Sequence, residues 1–101
     1  MNKVFKALAD PTRRRVLELL RQRPMTAGEL SDQFAVSKPT MSAHFTVLRE
    51  ADLIEATKLG TSITYQLKLS VLEDALLGFA QLFGLAAGAR PVTALKVENA
   101  E

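Results

Sequence analysis

Few side chains in this sequence have the types and spacing for bond-making chemistry, and those that do cannot meet. The only histidine, His44, stands two residues from Ser42 in a segment with helical periodicity. On a helix the two face roughly opposite directions and form no nucleophile and base pair. No cysteine is present, which removes thiol nucleophiles, disulfides and thiolate metal ligands. Glu73 and Asp74 are adjacent, so they point about 100° apart on a helix, and they read as acids favoured near a helix N-terminus. No phosphate-cradling glycine loop, paired carboxylates or nucleophile elbow is visible. The expectation is therefore no catalytic residue, no metal site, no cofactor and no enzyme. What remains is a polar, uncharged-to-basic face made by Lys38, Thr40, Ser42, His44 and Thr46, whose groups suit recognition rather than catalysis.

That face belongs to a helix over about 38–51. Ser37 is a good N-cap, and Pro39 falls where a missing N–H costs nothing. Met41, Phe45 and Leu48 recur at i, i+4 and i+7 as the apolar stripe that leaves the polar face outside. A shorter helix precedes it: Thr26 and Glu29 have capping-box spacing, and the segment runs to about Phe34. Upstream, Val4, Phe5 and Leu8 mark a first helix. Asp10 followed by Pro11 opens a second over 11–22, with Val16, Leu17 and Leu20 inward, Arg13, Arg14 and Arg15 read as a solvated run, and Pro24 as the stop. Downstream, residues 53–58 and 62–69 read as two strands joined by Leu59-Gly60-Thr61. Ser70 with Glu73 repeats the capping-box spacing and opens a last helix to about Ala86, in which eleven of 17 residues are apolar. Gly84, Gly88 and Pro91 then break the pattern. The order is α-α-α-α-β-β-α: mainly α with a small β-hairpin, one domain over 1–87 and a flexible tail over 88–101.

Length and composition agree. A chain of 101 residues, 48% hydrophobic and 24% charged, is ordinary for one globular domain with a modest core that gains from a partner's surface. The N-terminus has no long apolar stretch and no segment approaches 18 uninterrupted apolar residues, so secretion and membrane insertion are not expected and the cytoplasm is. Net charge is only +2, yet residues 1–69 carry eleven Lys/Arg against seven Asp/Glu, while residues 70–101 carry two against four. Basic charge thus accompanies the polar helix, which is compatible with a polyanionic partner.

Two short helices joined by a tight turn, followed by a hairpin, have the layout in which the second helix lies in a DNA major groove and the hairpin forms a wing. Ordinary helical corners share that spacing. Three stretches go further: Phe5-Lys-Ala-Leu-Ala-Asp-Pro-Thr-Arg-Arg-Arg-Val-Leu-Glu-Leu-Leu20, then Val36-Ser-Lys-Pro-Thr-Met-Ser-Ala-His-Phe-Thr-Val-Leu-Arg-Glu-Ala-Asp-Leu-Ile54, then the hairpin ending Tyr65-Gln-Leu67. In these the chain resembles the ArsR family of winged helix-turn-helix repressors over about residues 2–86. The resemblance implies a dimeric repressor of double-stranded DNA acting on a palindromic operator. Ser37, Lys38, Thr40, Ser42 and His44 match its DNA-facing positions, with Thr46 on the same face and Lys58 and Thr61 on the wing. It implies a homodimer packed through the first and last helices, for which Val4, Phe5, Leu8, Leu76, Phe79, Leu82 and Phe83 are the interface candidates. An intramolecular core is the alternative place for each of these.

The chain also departs from the family. Ala43 and Thr46 are neutral where an extra basic residue is common, and the wing turn Leu59-Gly-Thr-Ser62 lacks a positive tip. Cysteines near the third helix and paired His and carboxylates on the last helix, the usual metal-sensing ligands, are missing. The resemblance is closest to a metal-independent, autorepressor-like branch in which a regulatory protein partner replaces a small ligand. The rival reading is a winged-helix protein-interaction module with little DNA affinity.

Overall fold

Val16, Leu17 and Leu20 lie on one side of a helix that runs over Pro11–Gln22, the limits its Asp10-Pro11 start and Pro24 stop require. In the computed structural model, which describes residues 2–85, this helix (α2) follows α1, Asn2–Leu8. Then come β1 (Met25–Thr26), α3 (Ala27–Ser31), α4 (Lys38–Glu50), β2 (Ile54–Leu59), β3 (Ser62–Leu67) and α5 (Leu69–Leu82). The expected tail at 88–101 and the domain limit at residue 87 lie outside the described residues.

The core is continuous across these elements. Leu30, Met41, Leu48, Leu53 and Val16 are its largest fully enclosed side chains, joined by Phe45 and Tyr65, whose rings stand 4.7 Å apart. Burial pushes the Tyr65 hydroxyl above its ordinary pKa. The stripe of Met41, Phe45 and Leu48 is the face that seats α4, as its spacing requires.

The sheet has three strands, not the two of the expected hairpin. Met25 and Thr26 pair antiparallel with Tyr65 and Thr64, giving the order β1-β3-β2. Two residues after a proline are too few to show a period of two, so this strand is a product of tertiary pairing. The wing closes through Gly60 and Thr61 between the paired residues Leu59 and Ser62. Gly60 has φ 60° at the first central position, the backbone a type II′ hairpin requires.

Three helix limits differ from expectation. Helix α3 stops at Ser31 because the chain tightens into i→i+3 bonds, Gln33 N–H to Leu30 O and Phe34 N–H to Ser31 O. Helix α5 starts at Leu69, and the Ser70–Glu73 capping box does not form. Lys68 is pinned just before it, its N–H donating to Leu53 O at 2.8 Å and its Nζ bonded to Asp52 at 2.8 Å, so the chain turns helical at once. That bond to Asp52 raises the Lys68 pKa. At its other end α5 closes with Gly84 at φ 67°: Leu85 N–H donates to Ala80 O and Gly84 N–H to Gln81 O, a Schellman motif that ends the helix short of Ala86. The same motif ends α4, with Asp52 at φ 62° in the position glycine usually takes.

Candidate nucleic-acid interface

Side-chain caps fix the starts of α3 and α4. Thr26 caps α3 through a complete box, its Oγ1 accepting from Glu29 N–H at 3.0 Å while Glu29 Oε1 accepts from Thr26 N–H at 2.9 Å. The Thr26 amide bond, more than nearby Arg23, holds the Glu29 carboxyl below its usual pKa. Ser37 caps α4: Thr40 N–H donates to Ser37 Oγ at 3.3 Å, and Ser37 Oγ–H donates to Thr40 Oγ1 at 2.9 Å. Thr40 Oγ1 accepts this bond, so its own proton remains to be given outward.

Ser37, Lys38, Thr40, Ser42 and Thr46 are all exposed, as are Lys58 and Thr61 on the wing. Thr46 spends its hydroxyl proton on Ser42 O at 3.0 Å and keeps only acceptor capacity. Arg49, not among the expected residues, is exposed and lines a shallow depression with Thr46, Glu50 and Ile54. Its spacing of seven from Ser42 and eleven from Lys38 puts the three on one flank of α4, a signal the sequence did carry.

His44 differs. Its side chain is only 15% exposed and lies on the opposite flank, Nδ1 3.2 Å from Arg13 Nη1 and 3.9 Å from Asp10 Oδ2. The expected outward-facing histidine is turned toward the α1–α2 junction, and the expected solvated Arg13 is half-buried there. At about 100° per residue, positions 42 and 44 sit about 160° apart around the helix, and the apolar stripe alone does not say which flank meets a neighbour.

Asp10 completes this junction as the N-cap of α2, accepting from Arg13 N–H at 3.0 Å. That bond, with the Arg13 charge beside it, lowers the Asp10 pKa below its ordinary 3.8. A carboxyl depressed on folding stabilises at pH above its unfolded value and loses that contribution as pH falls through its folded one. Asp10→Ala is therefore expected to cost about 1 kcal/mol near neutral pH. In urea melts, the gap between the two proteins should close as pH falls below 3.8.

The interface candidates divide. Val4 is buried in the protomer's own core and offers a partner no surface; it takes the intramolecular alternative. Leu8 is half-buried against that core. Phe5 packs on Phe79 with ring centroids 4.7 Å apart, and Phe79 on Phe83 at 5.0 Å, so α1 and α5 are joined by an aromatic stack. Leu76, Phe79, Leu82 and Phe83 are exposed, Leu82 at 74%, while Ala75 is the one α5 residue buried.

Comparison with known proteins agrees with this architecture. Residues 8–57 match the helix-turn-helix domain family. The chain is 45% identical over 76 residues to the transcriptional repressor SdpR of Bacillus subtilis, spanning 75% of this chain and 84% of that one. It is 32% identical over 74 residues to the arsenical resistance operon repressor of Staphylococcus aureus, spanning 73% and 71%. An ArsR-like transcriptional regulator from Rhodococcus sp. RHA1 has a solved structure that aligns with TM-score 0.73 at 27% identity, over 94% of this chain and 88% of that one. By its sequence relatives and by its fold, this chain belongs to the ArsR-type family of winged helix-turn-helix transcriptional repressors.

Proposed function

We propose that the protein is a homodimeric repressor that binds a palindromic operator in double-stranded DNA, acting in the cytoplasm and without a metal-sensing site. The observation that carries this is α4, capped by Ser37 and seated on its apolar stripe so that Lys38, Thr40, Ser42 and Thr46 stand exposed, with Lys38 and Ser42 lining a depression shared with Ala27, Gly28 and Ser31 of α3 and Ile63 of β3. Lys38 supplies charge for phosphate or donors for guanine, and the hydroxyls of Ser37, Thr40 and Ser42 reach phosphate or base edges. Lys58 and Thr61 flank the groove from the wing. A dimer is supported by α5, whose apolar side chains stay exposed in a single protomer. Two-fold symmetry in the protein then requires two-fold symmetry in the operator.

The test is a titration of purified protein against duplexes from the promoter of its own gene, with random duplex as competitor, at several salt concentrations. Selective binding that weakens as salt rises is the expected result; indifference to sequence and salt would favour the protein-interaction module. Each neutralised phosphate contributes about −0.9 to the log–log salt slope. If Lys38 meets phosphate in both protomers, Lys38→Ala should make that slope shallower by about 1.8. An unchanged slope with lost selectivity would place Lys38 on a base instead.

A further inference from the structure

We infer that Arg13 is a positioning residue for DNA recognition, holding His44 and with it the recognition helix in register with α1. The inference rests on the reading that α4 faces DNA. Arg13 leaves α2 at its first turn and spends its guanidinium in three directions. Nε donates to Ala7 O at 2.9 Å, Nη2 to Lys6 O at 3.0 Å, and Nη1 meets His44 Nδ1 at 3.2 Å. The first two bonds go to carbonyls in the last turn of α1, where intrahelical donors run out, although Lys6 O also accepts from Ala9 N–H at 3.3 Å. The third crosses to the middle of α4, so one rigid planar group joins the ends of α1 and α2 to the recognition helix.

The chemistry of the third bond sets the state of His44. A guanidinium only donates, so Nδ1 accepts and the ring proton sits on Nε2. The ring is thereby held in one tautomer and one orientation, on the flank of α4 opposite Lys38, Ser42 and Arg49. Lysine cannot replace this arrangement, because one ammonium does not reproduce three donors fixed in a plane. The clamp also links the two surfaces of the proposed function. Through the Phe5–Phe79 stack, α1 is packed against the exposed apolar face of α5, and through Arg13 it is tied to α4.

Asparagine and glutamine separate a clamp from a DNA contact at His44. Asparagine carries its amide oxygen where Nδ1 stands and can accept from Arg13; glutamine places its amide where Nε2 stands and cannot. Binding to a selective promoter duplex would be measured for wild type, Arg13→Met, His44→Asn, His44→Gln and the Arg13→Met/His44→Gln double variant, with melting temperatures alongside. Losing a hydrogen bond to a charged donor predicts about tenfold weaker binding for His44→Gln, and at least that for Arg13→Met, which also gives up the bonds to Ala7 O and Lys6 O. The double variant should be no weaker than Arg13→Met alone, and His44→Asn should bind like wild type. The salt slope should not move, because no phosphate contact is lost. Additive losses, or a His44→Asn as weak as His44→Gln, would overturn the clamp while wild-type binding leaves the repressor reading standing. Failure of wild type to bind any promoter duplex selectively would overturn that reading and this inference together.

Discussion

Leu82→Glu is expected to convert the protein from dimer to monomer at micromolar concentration and to weaken operator binding at least a hundredfold. Leu82 is 74% exposed in the protomer, so a glutamate there costs the isolated fold little. In a two-fold interface every substitution occurs twice, and an unpaired carboxylate shut away from water costs several kcal/mol per copy. About 3 kcal/mol is already a hundredfold in dissociation constant. The DNA consequence follows from geometry: once one half-site is occupied, the second protomer binds at an effective concentration that a monomer lacks, a factor of about 10² to 10⁴. Light scattering after size exclusion, with a binding titration beside it, reads both effects. Leu59→Glu is the control for the oligomeric state alone, because Leu59 is 72% exposed but stands at the wing turn, where the added charge would act on DNA directly. A Leu82→Glu protein that stays dimeric would exclude the C-terminal end of α5 from the interface.

Leu48→Ala is expected to remove much of the protein's stability. Leu48 is fully enclosed, one of three buried residues on an α4 helix that packs against α1, α2 and β2. Truncating an enclosed leucine costs the transfer energy of the lost methyl groups plus that of the cavity left behind, about 3 to 5 kcal/mol. A domain of this size has about 5 to 15 kcal/mol in total, so a large share of its stability goes with one side chain. Urea unfolding at fixed protein concentration measures the loss, the concentration being held because a dimer's stability depends on it. A cost under about 1 kcal/mol would mean that the surrounding core collapses onto the site.

Most features whose signal lies within about four residues were set locally, the Ser70–Glu73 pair excepted. Asp10-Pro11 and Pro24 bound α2, Thr26 and Glu29 form their box, Ser37 caps α4, and Gly60 turns the wing; each is a local hydrogen bond or a local backbone constraint. The resemblance to the ArsR family was legible for the same reason, since its motifs are these caps and stripes in order. Tertiary structure decided what no local period encodes. Strand β1 exists because β3 offers Met25 and Thr26 a partner, and α5 begins where Lys68 is pinned by Leu53 and Asp52, overriding a capping pair that was present in sequence. Val4 went to the core and Leu82 stayed outside, though both carry apolar side chains at helical spacing. His44 turned to Arg13 because a helix has two flanks beside its apolar stripe, and only the packing of α1 and α2 against α4 chooses which of them meets protein and which meets solvent.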